Sequence, residues 1–418
     1  MPQGIDRRTL LTTVTLGFGS LAVQFASPAR FAAASQATPT GASVSTDAPV
    51  GAVYAMTNGD GVGNAIVAFA RNAAGQLSYL GTYPTGGEGT GRRGVPTLEI
   101  TSGFNTLGSS HAITIDRERN LLFAVNAGDG TVSSLAIAGD YTLTAVSTVA
   151  AGTFPTSVAC HGGILVAALS GRPAGGEPTG LVSFLIGDDG TLTMVDGSAT
   201  VLSAAEMTKP TDVIFSSDGA FAIVTDNLTM MLTAFPVAAD GLFGEPVATM
   251  SAGMGPNGTA MRPDNILVVT ETQGGAATGF GMSSLSTYRV GGEGSLTTLS
   301  DQVPTTRTSA CWVSVTPDGS QAITANTGDS TVSTFALSED GTATLNSAIA
   351  AQQQTTIASG AGASDSAISS DGAWYYQLWS GLGVVIGYAI GSDGTLAPID
   401  GGIGGGLPEL GSQGIVAI

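Results

Sequence analysis

Short apolar runs recur along this chain at a fixed cadence, each pair separated by a polar loop. Leu121 to Ile137 reads LLFAVNAGDGTVSSLAI, and Gln321 to Leu337 reads QAITANTGDSTVSTFAL, with Asn, Gly, Asp, Thr-Val-Ser and Ala at matched places. Phe221 to Val237 (FAIVTDNLTMMLTAFPV) repeats the rhythm, so Asn126, Asp226 and Asn326 stand at equal intervals. Each interval holds two units of about fifty residues, and the intervening ones lie at Ile164 to Ile186, Ile266 to Val290 and Trp374 to Ile390. An earlier unit begins at Val53. The pattern predicts an all-β chain: a seven-bladed β-propeller over residues 51–418, with four antiparallel strands per blade.

Within a unit the strands can be placed. In the second, His111 to Ile115 is the expected innermost strand, followed by Leu121 to Asn126, Thr131 to Ile137 and Leu143 to Val149. Turn signals such as Ser217-Asp218-Gly219 and Pro317-Asp318-Gly319 separate first from second strands, and Asp188-Asp189-Gly190 and Glu339-Asp340-Gly341 third from fourth. All these tight turns fall on one face of the ring. The other face receives the long Gly-rich segments 86–110, 170–180 and 272–283, which is where binding residues are expected. The first unit lacks an innermost strand, and Ser412 to Ile418 is an orphan strand at the other end; pairing the two closes the ring and removes two sheet edges.

Composition adjusts this picture at the ends and the surface. Residues 1–34 carry Arg7-Arg8, an apolar run and Ala32-Ala33-Ala34, the form of a twin-arginine-type signal peptide; residues 35–50 read as a flexible linker. The expected location is therefore exported, periplasmic or extracellular, with no transmembrane segment once the signal is removed. The net charge is -19, and the leader contributes three Arg and one Asp, so the remainder carries -21. With Lys209 the only lysine, that balance argues against nucleic acid as a partner. Cys160 and Cys311 fall in units three and six, too far apart for a bridge. Two His and two Cys, dispersed through the units, argue against zinc, and no spacing demands a cofactor or other metal.

The segments TGGEGTGRRG (85–94), SSHAITID (109–116), NAGDGTVSSL (126–135), ACWVSVTPDG (310–319) and TANTGDSTVSTF (324–335) resemble the lactonase family of seven-bladed propellers. That family includes 6-phosphogluconolactonases and carboxymuconate cyclases. The resemblance implies an enzyme acting on a small molecule, with a His at the head of an early inner strand, a place matched by His111; the expected state is a monomer. The family's further charged positions fall at Thr211, at Asp226-Asn227-Leu228 and in Ser309-Ala310-Cys311-Trp312, where this chain has no matching Arg or Glu.

Residue chemistry singles out His111 independently, since imidazole titrates near neutral pH and suits general acid/base work on a lactone. Asn126, Asn227 and Asn326, with Asp226 beside them, are candidate substrate-binding residues; Arg92 and Arg93 could fold over the mouth, and Trp379 could line it. His161 falls in a tight turn on the trimmed face. Ser109 and Ser110 are poor triad partners for an adjacent His, because neighbours in a strand point apart. The alternative is a non-catalytic propeller that binds a small molecule, a glycan or a protein on its long-loop face.

Overall fold

The computed structural model of the chain describes residues 48–93, 105–171, 177–202, 208–273, 281–354, 360–399 and 401–418. The signal peptide and most of the linker read from the sequence lie outside these residues, as do the central parts of the three long segments.

Burial follows strand rank. The second strands Leu121–Asn126, Phe221–Asp226 and Gln321–Asn326 are buried at every position, whereas every residue of the outer strand Leu143–Ala150 after the first is exposed or half-buried. A second strand is covered on both faces by neighbouring sheets, so it carries small or apolar side chains throughout; an outer strand needs only one dry face. Seven antiparallel sheets result. No α-helix occurs among the described residues.

The ring closes as the chain ends imply. Ile415–Ala417 pairs with Gly51–Met56 in the register Val53↔Ala417, Tyr54↔Val416, Ala55↔Ile415, supplying the innermost strand of blade 1. Blade 2 comprises Ile113–Asp116, Leu121–Asn126, Thr131–Ile137 and Leu143–Ala150. Blade 3 departs from the common plan, because its outer edge is split into Leu192–Met194 and Thr200–Val201. A turn that closes from Ser198 N to Val195 O, with Gly197 at φ +80°, interrupts it. The innermost strands of blades 4 to 7 are Pro210–Phe215, Pro256–Met261, Ala310–Val315 and Ala363–Ile368.

The wealth of Ser, Thr and Gly has a structural use. Ser134 Oγ donates to Gly190 O at 2.6 Å, Ser183 Oγ to Gly241 O at 2.6 Å and Thr287 Oγ1 to Gly341 O at 2.7 Å. In each case a hydroxyl on the third strand of one blade holds the outer turn of the next. The turn glycine has φ between +84° and +92°, and a Cβ at Gly190 would come within 2.7 Å of Leu121. Left-handed backbone and close approach together select glycine there.

Candidate active site

Innermost strands of a propeller line a central channel, and here that channel is blocked on the long-loop side by the segment entering blade 2. Thr106, Leu107, Ser109 and Ser110 are all buried. Ser109 O accepts from Trp312 Nε1 (3.1 Å) in blade 6 and from Gln413 Nε2 just before the closing strand, while Ser109 Oγ donates to Thr156 O (2.6 Å) in blade 3. Ser110 N donates to Thr211 O (2.7 Å) in blade 4, and its hydroxyl reaches Cys311 O (3.4 Å) in blade 6. At Gly258 in blade 5 a Cβ would stand 2.7 Å from Ser110 Oγ. Two serines thus touch five of the seven blades. Small residues are required, because polar backbone led through a channel must find partners on every side.

His111 emerges beneath this plug. The sequence places it at the head of the innermost strand, but the strand begins at Ile113 and His111 occupies the bend before it, with φ +51°. That left-handed turn, costly for a non-glycine residue, is held in place as its carbonyl accepts from Val158 N (2.8 Å). Nδ1 lies 2.8 Å from Asp212 Oδ1 of blade 4. Asp212 is fully buried and held on both oxygens: Ser157 Oγ donates to Oδ1 (3.1 Å), and Thr259 N and Oγ1 both donate to Oδ2 (2.7 Å each). Burial disfavours the imidazolium, yet the charge and hydrogen bond of Asp212, with the charge of Asp365 behind them, outweigh it and hold the His111 pKa at about 9. Asp365 is pushed the other way for a carboxyl: burial, aided by the charge of Asp212, raises it to about 7 against the pull of His111 and the N–H of Ser366. The surroundings thus favour the charged form of His111 and disfavour that of Asp365.

A cavity of about 300 Å³ extends from His111 toward the tight-turn face, and His161, Ser216, Ser217, Arg262 and Pro263 border it there. The plug stands between this cavity and the long-loop face. Arg262 brings no free charge to the rim. Its Nε and Nη2 donate to Asp264, each at 3.1 Å, and its Nη1 to Ser338 O at 2.7 Å.

The other residues singled out from the sequence lie elsewhere. Asn126 is buried and joins blades 1 and 2: it donates to Thr131 Oγ1 and Ser133 Oγ and accepts from Asn64 Nδ2 and Thr85 Oγ1. Asn326 makes the same pair of donations, to Thr331 and Ser333. Asp226 Oδ1 accepts from the backbone N–H groups of Lys209, Leu228 and Thr229, and Asn227 Nδ2 donates to Pro256 O at 3.3 Å. Trp379 is wholly buried in the packing between blades. The Asn126 and Asn326 amides are thus spent inside their blades, away from the cavity that holds His111. Arg92 and Arg93, in a short 3-10 turn, are held by Glu409 O and Asp60 respectively. His161 packs on Phe215 (centroids 5.8 Å apart) at the cavity rim and so belongs to the site.

Asp212 and Asp365 went unread in the sequence. Their signal is an acid inside an otherwise small or apolar innermost strand, PTDVIF and ASDSAI, a placement that demands compensation. Among the described residues no group of His, Cys, Asp or Glu is disposed to hold a metal ion, and no helix is long and apolar enough to cross a membrane. Both cysteines are unbridged.

Comparison with known proteins agrees with the architecture. The family model described as Lactonase, 7-bladed beta-propeller, matches residues 264–369, from blade 5 into blade 7. A structure titled as a putative 6-phosphogluconolactonase from Bacteroides uniformis superposes with a TM-score of 0.63 at 18% identity, covering 89% of this chain and 100% of the other. A periplasmic gluconolactonase of Pseudomonas aeruginosa superposes with a TM-score of 0.62 at 16% identity, covering 88% and 99%. No curated protein matches. At such identities the structures speak for the fold alone; with the family match, the resemblance to lactonase-type propellers read from the sequence is borne out.

Proposed function

We propose that this lactonase-like propeller opens a small, uncharged lactone in the cavity beneath the plug. The observation that carries the reading is His111, an imidazolium held at pKa about 9 by Asp212 with its ring facing the cavity. Lactone hydrolysis needs a group that stabilises negative charge on the carbonyl oxygen and a base for the attacking water. His111 supplies the first, donating from Nε2 to the developing oxyanion or to the departing alkoxide. A second water in the cavity takes the proton of the attacking water as the carbon–oxygen bond forms. The ring C–O bond then breaks and a hydroxy acid leaves.

The want of a free cation in the cavity lining apart from His111 supports an uncharged substrate: Arg262 is engaged by Asp264 and Ser338 O, and Thr211 stands where the family has an arginine, its hydroxyl bonded to Thr225 and to Pro256 O. The same want favours a second reading, a propeller that binds a small molecule without turning it over. Incubation of the purified protein with a panel of lactones decides between them. Acid release above the buffer rate that His111→Ala and Asp212→Asn each reduce at least tenfold supports catalysis; no release, with ligand-dependent melting shifts, supports binding alone. We further propose export through residues 1–34, which fusion of that segment to a folded reporter would test by fractionation.

A further inference from the structure

Opening a neutral lactone creates an anion. The carboxylate of the hydroxy acid forms beside His111, and its way out leads past the tight-turn face, toward which the cavity extends. That face is strongly acidic. The turns joining first to second and third to fourth strands, all within the described residues, carry fourteen acidic residues and three arginines. Of the fourteen, only Asp264, with Arg262, and Asp371, with Arg71, form an ion pair among the described residues. On the exposed inner turns, Asp218 and Asp318 are drawn below the usual carboxylate range by the hydroxyls of Ser216 and Thr316, and then by the N–H groups of Ala220 and Ser320. Neutral pH leaves both ionised.

Little at the floor or the rim holds such an anion back. Asp212 stands 2.8 Å from His111 and matches its charge, so the imidazolium has no net positive field left for a departing carboxylate. At the rim Arg262 is likewise matched by Asp264, while Asp218 accepts from Ser216 Oγ at 2.6 Å and so sets a carboxylate directly behind a lining residue. Charges of one sign around a cleft act together, changing the local concentration of a small ion by about tenfold or more at low salt. Their reach is the Debye length, about 30 Å at 0.01 M and about 8 Å at 0.15 M ionic strength. A neutral lactone feels none of this. Resting on the lactone reading above, we propose that the acidic turn face expels the hydroxy-acid product from the cavity, so that neutral lactone refills the site without product inhibition. The equilibrium between lactone and acid is untouched; only the residence of the acid is shortened.

The test separates charge from shape. 4-Hydroxybutanoate, the opened form of γ-butyrolactone, and 4-hydroxybutanamide, its uncharged counterpart, are titrated into the purified protein while the His111 ring resonances report occupancy. We expect the carboxylate to bind about tenfold more weakly than the amide at roughly 10 mM NaCl, and the gap to narrow several-fold at roughly 150 mM as screening sets in. In the triple variant Glu118→Gln, Asp218→Asn, Asp318→Asn the gap should narrow at low salt as well, with an unchanged amide affinity showing that the cavity is intact. Equal binding of the two probes, or a gap insensitive to both salt and the three substitutions, would overturn the expulsion and leave the lactone reading standing. Salt-dependent refusal of the carboxylate, with no lactone opened, would retain the electrostatic barrier and overturn the hydrolytic reading. Binding of neither probe would overturn both.

Discussion

Replacing Asp212 by Asn removes the charge 2.8 Å from His111 Nδ1 while keeping the volume, with one oxygen left to accept from Ser157 on one side or from Thr259 on the other. In the native protein His111 is held about two to three pK units above its ordinary value of 6.5, with burial opposing and Asp212 chiefly responsible. That displacement corresponds to about 3 kcal/mol favouring the charged ring. Because 31% of the side chain is exposed, solvent screening reduces the contribution to stability to on the order of 2 kcal/mol. The sign follows: a histidine raised in the fold stabilises fully below its unfolded pKa of about 6.5, and this is lost as pH climbs through about 9. The assay is direct, since the chain has only two histidines and His161→Ala assigns the remaining ring resonances. Proton NMR should show His111 titrating near 9 in the native protein and at or below 6.5 in Asp212→Asn, where burial is left opposed only by Asp365. Native titration near 6.5, or no change in the variant with the fold intact by circular dichroism, would refute the electrostatic account.

Stability as a whole should follow the same direction. Asp365 and Glu271 are both raised to about 7, chiefly by burial, and so oppose folding increasingly as pH rises from about 4 to 7; His111 continues the trend to 9. Urea midpoints are therefore expected to be higher at pH 5 than at pH 9, and Asp365→Asn should flatten the lower half of that slope. Asn126→Ala strands the Asn64 and Thr85 donors in a dry interface and should cost about 2–4 kcal/mol by denaturant unfolding, with the His111 titration unmoved. Trp312→Phe deletes one donor to Ser109 O and should cost about 1–2 kcal/mol, read in the same way. Deletion of residues 415–418 exposes the edge of Gly51–Met56, and light scattering should then detect association through that edge.

The sequence made the architecture legible because a propeller repeats its physics: buried second strands, Asp-Gly turns and an unpaired strand at each chain end are local signals. The same signals misdirected the site. Asn126 and Asn326 recur because two blades need the same internal hydrogen bonds, and recurrence alone does not separate a staple from a ligand contact. His111 was recognisable by residue type, but its partners lie 101 residues away at Asp212 and farther still at Asp365, joined only when blades 2, 4 and 7 surround one axis. The blockage of the long-loop side depends on where Ser109 and Ser110 thread. Two serines in a Gly-rich segment carry no local mark of contact with five blades.

Access to His111 from the tight-turn face is the claim on which the functional reading rests. Pro263 is exposed at the cavity rim, whereas Arg92 is exposed on the long-loop side. In a Cys160→Ser background, a bulky maleimide attached at Pro263→Cys should reduce lactone opening at least tenfold, and the same group at Arg92→Cys should leave it unchanged. Inhibition at Arg92→Cys with full activity at labelled Pro263→Cys would contradict the account.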